Sequence, residues 1–110
     1  MREDDFLKGG RVLLVTEPIK GQDGILKLSA LAKDIMKPKP GEEVWTVFLN
    51  TRQTRIKIIH IDTSGVDLLT RKLSRGAVGI NLKLLTKEQT KLTRGDLRRF
   101  LFDGTLPGGG

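Results

Sequence analysis

The sequence predicts an α+β domain, with an antiparallel or mixed sheet of about four to five strands and two helices, the last one C-terminal. Short β-branched apolar runs between turn residues indicate strands, and an apolar stripe at spacings of three and four indicates a helix. With 110 residues, the chain is long enough for one modest core. We therefore expect a flexible arm at residues 1–9, a single β-α-β-β-β domain with a final helix at 10–105, and a disordered tail at 106–110.

The first strand and the first helix are each ended by proline. Arg11 to Thr16 is a short apolar run, and Pro18 ends it because proline cannot donate to a strand ladder. Asp23 is predicted to cap a helix that continues to about Met36, where Pro38 and Pro40 stop it. The predicted buried stripe of this helix consists of Ile25, Leu28, Leu31, Ala32 and Ile35.

Three further strands are predicted at Glu43 to Asn50, Arg55 to Asp62 and Val66 to Leu73. The links between them are short, so these strands form an antiparallel meander. Alternation along the middle strand places Arg55 and Lys57 on one face and His60 on the other. We therefore expect Arg55 and Lys57 to lie with Arg52 at one exposed end of the first hairpin.

The last third of the chain is less regular. No structure is assigned to residues 77–92 as a whole, although 81–85 is expected to be extended and 87–91 to be a polar helical turn or a loop. Thr93 followed by Asp96 is a capping signature for a final helix. The predicted buried stripe of this helix consists of Leu97, Phe100 and Leu101. Arg98 and Arg99 are predicted to face solvent, and Gly104 is predicted to cap the C-terminal end.

The net charge of +7 is concentrated in one half of the chain. Residues 51–99 contain twelve Lys or Arg against four acids, whereas the remainder has eight basic residues against nine acids. A local excess of this kind is typical of a surface that binds a polyanion. The candidate DNA-binding residues are Arg52, Arg55, Lys57, Arg71, Lys72, Arg75, Lys91, Arg94, Arg98 and Arg99.

Duplex DNA is the expected nucleic acid. Single-strand binders need exposed aromatic rings as stacking platforms, and most of the few aromatic residues here fall on apolar runs. The two helices are separated by the whole meander, so a helix-turn-helix is not predicted. Contact is expected to be dominated by the phosphate backbone or made by a β-ribbon.

The sequence predicts no catalytic residues, no cofactor and no metal site. With one histidine and no cysteine, a transition-metal site is not expected, and His60 is interpreted as packed or hydrogen-bonded. The alternative to a non-catalytic protein is a nuclease that holds a metal ion with Asp62, Asp67 and Glu88. However, an aspartate before Thr-Ser-Gly usually forms hydrogen bonds to the backbone of its own turn. No apolar run has the length of a membrane helix, and a cytoplasmic protein without membrane association is expected.

The residues from Trp45 to Gly76 resemble the second small open reading frame of IS66-type insertion sequences. The positions that carry this resemblance are Phe48, Arg52, Arg55-Ile56-Lys57, Asp62, Gly65, Lys72-Leu73 and Gly76. Lys20 to Ile25 resembles the helix entry of the family, and Leu97 to Gly104 resembles its terminal helix. The chain departs from the family at three places. Pro18-Ile19 stands where the family carries Thr-Asp-Met-Arg, and Ile59-His60-Ile61 stands where it carries a Trp-Trp pair. Ile80-Asn81 replaces the family's Trp-Pro.

This resemblance implies an accessory transposition protein that acts beside a separate transposase. DNA is the expected partner on grounds of charge, and the cognate transposase is the partner that the family implies. The alternative is a protein-interaction module that binds the transposase or self-associates without touching DNA. The oligomeric state and the DNA sequence are left open.

Overall fold

The computed structural model describes residues 10–74 and 78–103, apart from the side chains of residues 88, 89, 94 and 101–103. In chain order the elements are β1 (Arg11–Leu14), α1 (Ile25–Met36), β2 (Val44–Leu49), β3 (Arg55–Ile61), β4 (Val66–Lys72), a 3₁₀ helix (Leu82–Leu84), α2 (Lys87–Thr90), β5 (Lys91–Leu92) and α3 (Arg94–Asp103). The predicted arm at 1–9 and tail at 106–110 lie outside the described residues.

The five strands form one mixed sheet in the order β4-β3-β2-β1-β5. β1 runs parallel to β2, so α1 is the crossover that returns the chain between them. The β2-β3-β4 meander is antiparallel throughout, and β5 pairs antiparallel with β1. The predicted α+β class and the predicted meander are therefore confirmed.

Both faces of the sheet are covered, and each has its own apolar cluster. On one face Leu28, Ala32 and Met36 of α1 pack with Phe48 and Ile59. The opposite face is covered by the C-terminal segments, which contribute Leu82, Leu97 and Phe100 to the second cluster, together with Leu92 of β5. All six residues of β2 are buried, because this central strand has a packed layer on each side.

The helix entry differs from the prediction in its cap. Gly24, not Asp23, is the N-cap, and it makes no side-chain hydrogen bond. The Asp23 carboxylate instead accepts the Lys20 amide at 3.0 Å and the Lys27 ammonium at 3.2 Å. Burial raises the pKa of Asp23, but these two hydrogen bonds outweigh burial and leave the pKa below its ordinary value. Asp23 therefore closes the loop before the helix and does not cap the helix itself.

The buried stripe of α1 is also narrower than predicted. Leu28 and Ala32 are buried as expected, but Ile25 and Ile35 are 41% and 42% exposed, and Met36 is buried in their place. The contact row therefore follows positions 28, 32 and 36, spaced by four. Leu31, also predicted, is half-buried and packs against the same cluster, so the predicted stripe is wrong only at Ile25 and Ile35.

The C-terminal region is more helical than predicted. The prediction of an extended segment at 81–85 is wrong, because Leu82–Leu84 is a 3₁₀ helix. Asn81 caps this helix, since its Oδ1 accepts the Lys83 amide at 3.2 Å. The helical alternative for 87–91 is confirmed by α2. No helix among the described residues is long and apolar enough to cross a membrane.

The capping signature of the last helix is confirmed. Asp96 accepts the Thr93 amide at 3.0 Å, and Thr93 Oγ1 accepts the Asp96 amide at 3.1 Å. Leu97 and Phe100 are buried as predicted. The side chain of Leu101 and residue Gly104 lie outside the described part of the chain.

An ion pair between Arg11 and Glu42 joins the start of β1 to the loop before β2. Arg11 Nε donates to Glu42 Oε2 at 2.7 Å, and its Nη2 donates to the Met36 carbonyl at 2.8 Å. The Arg11 hydrogen bond, followed by that of the Lys39 amide, lowers the pKa of Glu42 to about 2 from 4.5.

Replacing Glu42 by glutamine is expected to lower stability at neutral pH and to make no difference at low pH. A carboxyl whose folded pKa is depressed adds stability above its unfolded pKa, and that stability disappears as pH falls toward the folded value. The difference in melting temperature between the two proteins should therefore close between pH 4.5 and about 2. Thermal unfolding at several pH values measures this difference, and a gap that stays constant over that range would contradict the assignment.

Candidate nucleic-acid interface

The hairpin between β2 and β3 is held in one conformation by its own polar groups. Asn50 Oδ1 accepts the amides of Thr54 and Arg55, both at 2.9 Å, while its Nδ2 donates to Thr54 Oγ1 at 3.0 Å. Gln53, in a left-handed conformation with φ 56°, accepts the Ile80 amide at 2.7 Å and donates to the Ile80 carbonyl. The turn is therefore anchored to the segment that follows β4.

The strand register brings the predicted basic residues of the hairpin together with those of β4. Arg55 is directly opposite Lys72, and Arg71 is opposite Ile56. Arg52 lies in the adjacent turn, and all four basic side chains are exposed. Since opposed residues share a face and neighbours alternate, Arg55 and Lys72 lie on the α1 side and Arg71 on the other.

Lys20 belongs to the same region, although the charge count did not single it out. Ile19 bridges to Asn50 at the end of β2, which brings the following loop to the hairpin. A Cβ built on Gly21 would lie 3.7 Å from Arg55 Nη1, and Lys20 beside it is exposed. Lys20 was not among the predicted candidates, and the resemblance of residues 20–25 to the family's helix entry is the signal that could have identified it. We call Lys20, Arg52, Arg55, Arg71 and Lys72 the hairpin-end surface.

The prediction that Lys57 shares this exposed surface is wrong. Its side chain is buried, with 6% exposure, and its Nζ donates to the Asp23 carbonyl at 2.6 Å. The α1 layer covers this face of β3, and alternation along a strand cannot show how far such a layer extends. Lys57 therefore holds the loop of Lys20 and Gly21 against the sheet.

Replacing Lys57 by alanine is expected to reduce stability by about 1–3 kcal/mol, since a buried carbonyl loses a charged hydrogen-bond donor. Urea denaturation measures this loss. The folded variant should keep its affinity for DNA to a greater extent than an Arg55→Ala variant, because Lys57 does not reach the surface. A greater loss of affinity with unchanged stability would contradict the buried position.

The fold does not bring every described candidate to the hairpin end. Lys91 lies in β5 at the opposite edge of the sheet from β4, about 19 Å away at ~4.8 Å per strand. α3 begins directly after β5, and Arg98 and Arg99 are exposed on it. Arg75 and the side chain of Arg94 lie outside the described residues. The candidate cations with described side chains therefore do not all lie at the β4 edge of the sheet.

The other end of the sheet carries carboxylates around His60. His60 Nε2 lies 2.6 Å from Glu43 Oε2, and its Nδ1 lies 3.1 Å from Asp67 Oδ2. The ring stacks on Trp45 with centroids 3.8 Å apart, so the interpretation of His60 as packed and hydrogen-bonded is confirmed. Five residues of β3 separate His60 from Arg55, which is about 17 Å at ~3.4 Å per residue.

Asp62 forms the turn that its sequence context predicts. Its Oδ1 accepts the amides of Ser64 at 2.8 Å and Gly65 at 3.0 Å. The side chain of Glu88, the third acid of the nuclease alternative, lies outside the described part of the chain. Glu43, His60 and Asp62 place ligand atoms within 4.8 Å of one another and are the described residues able to hold a metal ion. The approach of Glu43 was not predicted, because it depends on the β2-β3 register.

Comparison with known proteins agrees with the resemblance found in the sequence. A family model described as IS66 Orf2 like protein matches residues 10–106. No curated protein and no solved structure shows a significant match to the chain.

Proposed function

The chain belongs to the IS66 Orf2-like family of transposition-associated proteins, and we propose that it binds duplex DNA through the hairpin-end surface. The contact is with phosphates, and the bound element end or target DNA lies across the tips of β3 and β4. In this proposal the protein does not itself catalyse transposition, and it acts beside a separate transposase, in the cytoplasm at the nucleoid.

The observation that carries this proposal is the pairing of Arg55 with Lys72. Like charges directly opposite one another in a sheet are destabilising, and Lys20 and Arg52 add further positive charge beside them. A bound phosphate oxygen relieves this repulsion and accepts hydrogen bonds from the arginine fork. The carboxylates Glu43, Asp62 and Asp67 lie at the far end of the sheet, so the two ends differ in sign.

Duplex DNA is favoured over single strands by the position of the aromatic rings. Trp45, Phe48 and Phe100 are buried and therefore offer no stacking platform for unpaired bases. Guanidinium and ammonium groups on a rigid β-hairpin suit the regular phosphates of a duplex, and such contacts fix position without reading the base sequence. The hydrogen bonds of Asn50 and Gln53 hold the hairpin in one conformation before it binds, so the hairpin loses less conformational entropy on binding.

Fluorescence anisotropy with labelled duplex DNA tests the proposal. Element-end and random sequences are titrated with the intact protein at several salt concentrations. We expect affinity to fall steeply as salt rises, because each neutralised phosphate releases condensed counterions. Tighter binding to element ends would add sequence specificity. Absence of binding at low salt would overturn the proposal and favour a protein-interaction module whose partner is the transposase.

A further inference from the structure

The carboxylate end of the sheet carries a cluster of side chains that the proposed DNA binding does not use. His60 is 5% exposed, and its Nε2 faces two carboxylates, Glu43 Oε2 at 2.6 Å and Asp62 Oδ2 at 3.9 Å. These groups come from the residue before β2, the penultimate residue of β3 and the turn before β4. The hairpin-end surface lies at the opposite end of the same strands.

The orientation of the imidazole is fixed by groups on its other side. Nδ1 lies 3.1 Å from Asp67 Oδ2, and the ring is stacked on Trp45. When Nδ1–H donates to Asp67, the Nε2 lone pair points at Glu43 and Asp62. A carboxylate hydrogen-bonded to the remote nitrogen is the usual support of a metal-binding histidine.

A lone pair and carboxylate oxygens that face one another can be bridged favourably by a cation. A proton on Nε2 satisfies Glu43, but it leaves Asp62 Oδ2 at 3.9 Å, beyond hydrogen-bond distance. A metal ion satisfies both carboxylates, because ligands at about 2.0–2.1 Å from a tetrahedral zinc lie roughly 3.4 Å apart. The observed separations bracket that value.

We propose that Glu43, His60 and Asp62 bind a divalent transition-metal ion of the Zn²⁺ class, with Asp67 as the positioning residue for the imidazole. One nitrogen and two carboxylate ligands favour Zn²⁺, Co²⁺ or Mn²⁺ over Mg²⁺ and Ca²⁺, which prefer oxygen alone. Two carboxylates and a neutral imidazole balance the charge of the ion, and water completes the coordination. The metal joins the start of β2 to the end of β3 and to the turn that precedes β4.

The test uses the full chain after treatment with a chelator and dialysis. Isothermal titration with Zn²⁺ should give one ion per chain, Co²⁺ should develop visible absorption bands, and Zn²⁺ should raise the melting temperature while Mg²⁺ does not. Asp67→Ala should weaken Zn²⁺ binding about 10- to 100-fold. Absence of stoichiometric Zn²⁺ binding by the folded wild-type protein would overturn the proposal and leave His60 with a purely structural role, hydrogen-bonded between carboxylates and stacked on Trp45.

Two further variants separate ligation from folding. Asp62→Asn retains a side-chain oxygen for the Ser64 and Gly65 amides, so the turn is kept while the anionic ligand is lost. Glu43→Gln is similarly close in shape, and both variants should lose at least tenfold in affinity with an unchanged far-UV circular dichroism spectrum. The matched control is Glu42→Gln, since the neighbouring Glu42 pairs with Arg11. A loss of Zn²⁺ affinity in the control as large as in Glu43→Gln would contradict the assigned ligands.

Discussion

Replacing Phe48 by alanine is expected to lower the free energy of unfolding by about 3–5 kcal/mol. The ring has no exposed surface and lies in β2, whose residues are all buried. It packs in the cluster that α1 contributes through Leu28 and Ala32. Removing the ring leaves a cavity that neither the sheet nor the helix can fill without breaking other contacts, so little of the loss is recovered. Urea denaturation followed by circular dichroism measures the change.

Leu26→Ala is the matched control for this substitution. Leu26 is 86% exposed on α1, and truncation of a surface side chain usually changes stability by no more than about 0.5 kcal/mol. A loss near 1 kcal/mol or less for Phe48→Ala would show that the two layers are not packed around this ring. The comparison keeps the type of change similar, because both substitutions shorten an apolar side chain.

The combined replacement of Arg52, Arg55 and Lys72 by alanine is expected to weaken DNA binding by at least about tenfold at moderate salt. These side chains are exposed, and Arg55 and Lys72 are direct neighbours across the strands. Loss of three phosphate contacts should reduce the slope of log affinity against log salt by about two to three. Anisotropy titrations at several salt concentrations give both quantities.

The control is a second triple variant with the same loss of charge in another region. Lys33, Lys39 and Lys87 are exposed and lie on α1, on the loop after it and on α2. Their replacement by alanine should change the salt slope much less, because they are away from the hairpin end. Equal effects of the two triple variants would mean that net charge alone governs binding, and would contradict a localised hairpin-end surface.

Local patterns predicted most of the elements correctly. The meander follows from short links, and the last helix follows from Thr93 and Asp96, whose reciprocal hydrogen bonds are formed within four residues. The errors at Asp23 and at residues 81–85 have a different origin. The Asp23 carboxylate accepts the Lys20 amide instead of an amide of the helix. The segment after Asn81 packs against one face of the sheet through Leu82, and this packing fixes its turn.

The sequence by itself determined the α+β class, the family and the concentration of positive charge in the second half of the chain. Periodicity, turn chemistry and composition are properties of neighbouring residues, so they can be read without knowing the packing. Only the tertiary structure decided that Lys72 faces Arg55, that Lys20 joins them, that Lys57 is buried, and that Glu43 meets His60. These relations depend on strand register and on which layer covers each face, and both are set by contacts between segments far apart in the chain.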